Sequence, residues 1–203
     1  MPASPNIGVL ALQGAYASHA QALTALGATP LLIRRPDQLS GPDSLPLDGL
    51  IIPGGESTTF LRHLERDGFF ATLHSFVRNT PVFGTCAGAI LLAKEVTNPP
   101  QASLAAMDIT IERNAYGRQN DSTILTAETS LPGGPLEMVF IRAPRITHAG
   151  STIEVLATRD ADPVLVRQGH LLAATFHPEL SYDLTYRIHQ LFLSIVESHR
   201  SSH

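Results

Sequence analysis

Short apolar runs alternate with longer, helically patterned stretches through the first half of the chain. The run IGVLAL (7–12) is unbroken, which suits a strand buried on both faces of a sheet. In residues 15–27, Ala15, Ala22, Leu23 and Leu26 share one helical face and Gly27 marks a stop. TPLLIR (29–34) predicts a second strand, and 36–48, rich in Pro, Gly, Asp and Ser, predicts a loop. GLIIPGG (49–55) predicts a third strand ending in a glycine turn. Residues 57–79 read as helix, glycine break, helix; 81–85 as a fourth strand; and 86–96 as another helix. Such alternation predicts a parallel sheet covered on both sides.

Beyond residue 100 the pattern changes. Short strand-like runs crowd together at 107–113, 122–127, 137–144, 152–158, 163–169 and 170–176. A mixed sheet with an antiparallel part is expected there. The stretch 182–198 carries apolar residues at 184, 188, 191, 192, 195 and 196, the stripe of an amphipathic closing helix. No repeat or long linker divides the chain, so one domain spanning 1–203, with its core at 6–199, is the simplest organisation.

Composition narrows the function. The net charge of −4 argues against a nucleic-acid partner. No apolar stretch approaches the ~20 residues that cross a bilayer. The start of the chain does not read as a secretion signal, and a single cysteine fits a reducing compartment, so a cytoplasmic protein is expected. No cysteine pair or His-Glu-x-x-His spacing suggests a metal, and no cofactor is implied.

That one cysteine, Cys86, sits between glycines in GTCAG (84–88), where a strand is expected to turn sharply into a helix. A nucleophile on such a turn is held out from the sheet edge, near a helix N-terminus that favours thiolate. The N–H of Ala87 would face the same spot as an oxyanion donor. The competing reading is a small buried hydrophobe. His177 follows an apolar strand, and the proline after it favours an extended backbone, which would project His177 and Glu179 to one side. An ordinary surface turn is the alternative, but with Cys86 the pair makes a Cys–His–Glu relay. In PGGEST (53–58), Gly55 can donate a second oxyanion N–H, and Ser57 or Thr58 can cap the helix that follows. Arg113 and Arg142 end apolar runs and are suited to gripping a carboxylate; either is equally readable as a solvated strand-end charge.

GVLALQGA, PGGEST, GTCAG, RNAYGRQ, FIRAP and TFHPEL occur in that order. Together they resemble the glutaminase subunits of pyridoxal 5′-phosphate synthase, a family of class I (triad) glutamine amidotransferases. The resemblance implies a flavodoxin-like three-layer α/β/α sandwich with a mostly parallel, mixed central sheet. It implies hydrolysis of L-glutamine, with the ammonia passed to a synthase subunit in a large hetero-oligomer. By matching motif, Cys86 is the nucleophile, His177 the general acid/base and Glu179 its orienter. Gly55, Glu56, Ser57, Arg113, Ile141 and Arg142 line the glutamine pocket, and Gln13 lies near the partner contact. The chain departs from the pattern in a longer 36–48 loop, in Arg145 where histidine is expected, and in Thr175 where serine is frequent. Three alternatives stay open: the glutaminase of another complex, a cysteine hydrolase of γ-glutamyl compounds, and a non-catalytic regulatory subunit.

Overall fold

The computed structural model describes residues 3–113, 115, 122–181 and 185–202. Five strands form the parallel heart of the sheet: β1 (Asn6–Leu10), β2 (Thr29–Ile33), β3 (Gly49–Ile52), β4 (Val82–Thr85) and, late in the chain, β12 (Leu171–Ala174). Two antiparallel strands, β10 (Glu154–Arg159) and β11 (Asp162–Gln168), extend it beyond β12. The spatial order is β10-β11-β12-β4-β3-β1-β2.

The apolar runs are continuous because both faces of this sheet are covered. In β3, Leu50 and Ile52 enter one core while Ile51 enters the other. In β12, Leu171 and Ala173 likewise separate from Leu172 and Ala174. Helices α2 (Ser57–Leu64), α3 (Phe69–Phe76) and α4 (Ala87–Leu92) supply the first core with Phe60, Leu64, Leu73 and Leu91. Helices α1 (Tyr16–Ala25) and α5 (Arg187–Arg200) supply the second with Leu23, Phe192 and Val196. The result is the expected three-layer arrangement.

Two expectations need correction. Residues 86–96 are not one helix. Helix α4 stops at Leu92, and Ala93–Thr97 turns into strand β5. Buried Ala93 and Val96 stand three apart around exposed Lys94 and Glu95, a helix-like spacing that arises from a register shift between Ala93 and Glu95. Nor do the later strands share one mixed sheet with an antiparallel part; they divide among three sheets. Strand β5 pairs with β6 (Met107–Glu112), which also pairs with β9 (Arg145–Ala149), while β7 (Thr123–Ala127) and β8 (Leu136–Phe140) make a hairpin. The first of these small sheets buries Ile109, Ile111 and Ile146 in the α2–α4 core, and the hairpin buries Met138 and Phe140 on the α1–α5 side. Strand β9 was missed because Arg145, Thr147 and His148 interrupt its apolar pattern. The closing helix begins at Arg187; Tyr182, Asp183 and Leu184 lie outside the described residues.

The register explains where the side chains of interest emerge. Ile52 pairs with Gly84, and Ala174 pairs with Thr85. Three neighbouring strands therefore end at one level, and the residues just past them converge at the carboxyl edge of the sheet, where open α/β sheets place their sites. Gly88 makes this possible: a Cβ there would overlap the Ile52 carbonyl, so only glycine lets α4 lie close against β3. Backbone cannot yield as a side chain can. Gly88→Ala is expected to lose ~1–3 kcal/mol to overpacking, more than the ~1 kcal/mol gained in helix propensity. A urea midpoint equal to wild type would contradict this packing argument.

Candidate active site

Cys86 is the N-cap of α4, one residue before the expected helical turn, with φ 47° and ψ −104°. A non-glycine residue there is strained, and the surroundings hold it in place. Its N–H donates to the Ala174 carbonyl at 2.8 Å, and its carbonyl accepts from Ile90 at 3.1 Å. The Cys86 N–H is used in that bond, while the Ala87 N–H opens the helix, where the first amides lack intrahelical acceptors. With α4 only six residues long, the neighbour that matters to the sulfur is His177 rather than a helix dipole.

His177 follows β12, and its ring and the Cys86 side chain both border Gly54 and line the same cavity. The His177 Nδ1 lies 2.8 Å from Glu179 Oε1. The three expected residues thus meet as thiol, ring and carboxylate. The reason for the His–Glu pairing differs from the expected extended segment. Pro178–Leu180 is a single 3₁₀ turn, and this turn folds the carboxylate back onto the ring. The His177 N–H donates to the Val139 carbonyl at 2.8 Å, tying the segment to β8. Cys86, His177 and Glu179 are all buried, at 6%, 7% and 6% exposure, and so are shielded from bulk water.

Burial opposes a charge on His177, but Cys86 first and Glu179 next outweigh it and raise the imidazolium to about 10. Burial also opposes ionisation of Glu179; His19 and His177 together overcome it and hold the carboxyl below its ordinary range. Ring and carboxylate are therefore charged together at neutral pH.

A cavity of about 260 Å³ opens beside Cys86 and His177. Gly55, Glu56, Ser57, Arg113, Ile141 and Arg142 all line it, and Ile90 and Pro144, which sequence reasoning missed, complete the wall. Larger hollows lie beside Leu39 and Phe76 (about 500 Å³) and beside Arg34 and Arg66 (about 430 Å³). Neither is lined by a cysteine beside a histidine, so the chemistry of the lining, not size, distinguishes the site. Gly54 sits at the junction: a Cβ there would press into the His177 ring and the Cys86 side chain. Gln13 clamps the neighbouring turn, accepting from the Glu56 N–H at 3.2 Å and donating to the Glu56 carbonyl at 3.4 Å. Of the RNAYGRQ stretch, Arg113 and Ala115 are described; Asn114 and 116–119 lie outside the described residues.

Glu56, not Ser57 or Thr58, caps α2. Its carboxylate accepts from the N–H groups of Thr58 (3.0 Å) and Thr59 (2.7 Å) and from the Thr59 hydroxyl (2.7 Å). Arg113 Nη2 donates to the Thr58 hydroxyl at 2.9 Å, and Ser57 donates to Gln101 Oε1 at 3.1 Å. A larger omission lies behind the triad. His19 Nε2 is 3.4 Å from Glu179 Oε2 and 3.2 Å from Thr85 Oγ1, and His19 Nδ1 is 2.9 Å from His189 Nε2. Both histidines are fully buried. The available signal was helical spacing, because His19 shares the inward face of α1 with Ala22 and Leu23.

Burial raises the Glu56 carboxyl, but the threonine hydrogen bonds prevail and lower it from 4.5 to about 2. A depressed carboxyl stabilises the fold fully above its unfolded value, and that contribution is lost as pH falls from 4.5 towards 2. Glu56→Gln is expected to cost on the order of 1 kcal/mol at neutral pH, as loss of a cap does. By urea denaturation, the gap from wild type should shrink as pH falls through that window. A gap independent of pH would refute the charged-cap assignment.

The chain matches the SNO glutamine amidotransferase family over residues 9–198. It is 57% identical over 196 residues to the pyridoxal 5′-phosphate synthase subunit PdxT of Koribacter versatilis, covering 97% of this chain and 98% of that one. It is 49% identical to the PdxT subunit of Thermotoga maritima, covering 95% of this chain and 100% of that one. A crystal structure of a glutamine amidotransferase superposes with a TM-score of 0.84 at 42% identity, covering 94% of this chain and 98% of that one. A second glutamine amidotransferase, from Thermotoga maritima, shares the fold at a TM-score of 0.61 and 11% identity, covering 98% of this chain and 86% of that one.

Proposed function

The chain belongs to the SNO glutamine amidotransferase family, and from that premise we propose that it hydrolyses L-glutamine to L-glutamate and ammonia with Cys86, His177 and Glu179. The ammonia goes to the synthase subunit of pyridoxal 5′-phosphate synthase, which builds the vitamin from a pentose phosphate and a triose phosphate. The whole chain acts as one amidotransferase domain in the cytoplasm, where its only thiol stays reduced. The observation that carries this reading is the Cys86–His177–Glu179 array opening onto the 260 Å³ cavity. An intact array also speaks against a regulatory subunit without activity.

The sulfur of Cys86 attacks the side-chain amide carbon, and as the S–C bond forms the C=O π pair moves onto the oxygen, which becomes an oxyanion. The N–H groups of Gly55 and Ala87 stabilise that oxyanion; one such donor is worth ~10²–10³ in rate. Imidazolium His177 gives its proton to the nitrogen, the C–N bond breaks, and ammonia leaves a glutamyl thioester. The sulfur is now uncharged. Cys86 was the largest influence holding the proton on His177, so the ring is left a buried, neutral base. It takes a proton from water, the hydroxide adds to the thioester, and expulsion of thiolate restores the ion pair. One ring thus serves as acid and then as base because the charge beside it changes between the two steps. Arg113 and Arg142, in the cavity wall, suit the α-carboxylate of glutamine. Gln13, which clamps the turn that carries Gly55, gives a docked partner a direct route to the oxyanion donor.

Ammonia release from glutamine, assayed with and without the synthase subunit, tests the proposal. Wild type is expected to turn over slowly alone and markedly faster with the synthase. Cys86→Ala should lose hydrolysis by several orders of magnitude while still binding the synthase. Near-wild-type hydrolysis in that variant would end the nucleophile assignment.

A further inference from the structure

The triad explains one oxygen of Glu179. Oε1 accepts from His177, while Oε2 is buried and has no hydrogen-bond partner within ordinary reach among the described residues. What it has is the His19 ring, 3.4 Å away, with neither side chain exposed. Leaving a buried carboxylate oxygen unmatched costs far more than leaving a hydroxyl so. His19 is itself held on its far side by His189, reaching across from α5 at 2.9 Å. The His189 ring in turn stands edge-on to Phe83 and Tyr186, at 5.9 Å each. Four elements, α1, β4, α5 and the 3₁₀ turn after β12, therefore converge on one ring that belongs to no part of the triad.

Resting on the glutaminase reading, we propose that His19 is a positioning residue for Glu179, with His189 fixing the orientation of the His19 ring. The proton arrangement follows from the acceptors. Glu179 accepts only, so the hydrogen is placed on His19 Nε2; it meets the Thr85 hydroxyl at 3.2 Å, and Oε2, 3.4 Å from Nε2, lies against that N–H edge of the ring. His19 Nδ1 is then an acceptor, and His189 Nε2–H is its donor. His189 Nδ1 is left as a bare lone pair, in agreement with its lack of a partner among the described residues. Burial lowers both rings, that of His189 to about 3, so the relay stays neutral while its N–H edge lies against the carboxylate. A neutral donor keeps Glu179 charged and facing His177 without competing for its charge. The titratable groups around His177 are Cys86 from the β4–α4 turn, Glu179 on its own segment and His19 from α1, with Arg113 and Arg142 across the cavity. Around His19 they are Glu179, His177 and His189.

The test compares His19→Leu, His19→Gln and wild type in complex with the synthase subunit. Glutamine carries an amide nitrogen near the place of Nε2 and can replace the donor; leucine cannot. His19→Leu is expected to lose ~10-fold or more in kcat, the scale of a displaced catalytic group, with KM changed little. Its alkaline limb of kcat should move to lower pH, because a less well-held Glu179 supports the His177 charge less. His19→Gln should recover most of both effects. Alkylation of Cys86 by iodoacetamide reads the same coupling without glutamine, and as the only cysteine it reports alone. That rate should fall in His19→Leu. Should His19→Leu not fold, His189→Leu, which removes the donor to His19, is expected to give the same pattern in smaller measure. Wild-type kcat, alkaline limb and alkylation rate in a folded His19→Leu or His189→Leu protein would overturn the proposal, as would His19→Gln no better than His19→Leu. If wild type itself failed to release ammonia while the alkylation rates still differed, the glutaminase reading would fall and the role of His19 would stand.

Discussion

The contact between Cys86 and His177 depends on a backbone that cannot relax. Residue 86 holds a conformation that almost any isolated peptide would leave, at φ 47° and ψ −104°. It stays there because the Ala174 carbonyl grips its N–H, and because α4 is pressed against β3 over a position with no side chain. Both restraints come from strands that neighbour β4, namely β12 on one side and β3 on the other. Strain in the turn is thus sustained by the sheet, whose buried apolar faces supply far more stabilisation than one strained residue of ~1–3 kcal/mol removes.

Electrostatics build on that geometry in layers. A buried carboxylate would ordinarily take up a proton. Glu179 remains charged because His177 meets one oxygen and His19 lies against the other. A buried imidazole would ordinarily lose its proton, yet His177 keeps it because sulfur and carboxylate flank the ring. Each group is costly to bury alone and tolerable in company, so removing one member disturbs the others. The array also gives the proposed chemistry its timing: the ring's affinity for a proton depends on whether the sulfur beside it is free or acylated.

Much of this was legible in the residues. Unbroken apolar runs separated by helical stretches disclosed the doubly covered parallel sheet, because burial on both faces removes alternation. GTCAG and HPE pointed to Cys86, His177 and Glu179, which the fold brings to one place, because small residues around a cysteine, and a proline between an imidazole and an acid, are local signals. The rest was not local. Strand β5 was invisible because LLAKEV fits a helix as well as it fits the end of one, and its pairing with β6 settles the matter. Glu56 took the cap from Ser57 because a carboxylate can accept three hydrogen bonds at once. His19 and His189, 170 positions apart, carry no shared pattern; only the packing of α1 and α5 on the same face of the sheet brings their rings together.

The most direct test of this arrangement is an NMR titration of the His177 ring in the native protein. The account expects the ring to hold its proton throughout the neutral range and release it near 10, far above the ordinary 6.5. A ring that titrates at or below 6.5 would mean that sulfur and carboxylate do not flank it as described, and the ion pair at the centre of the account would be wrong.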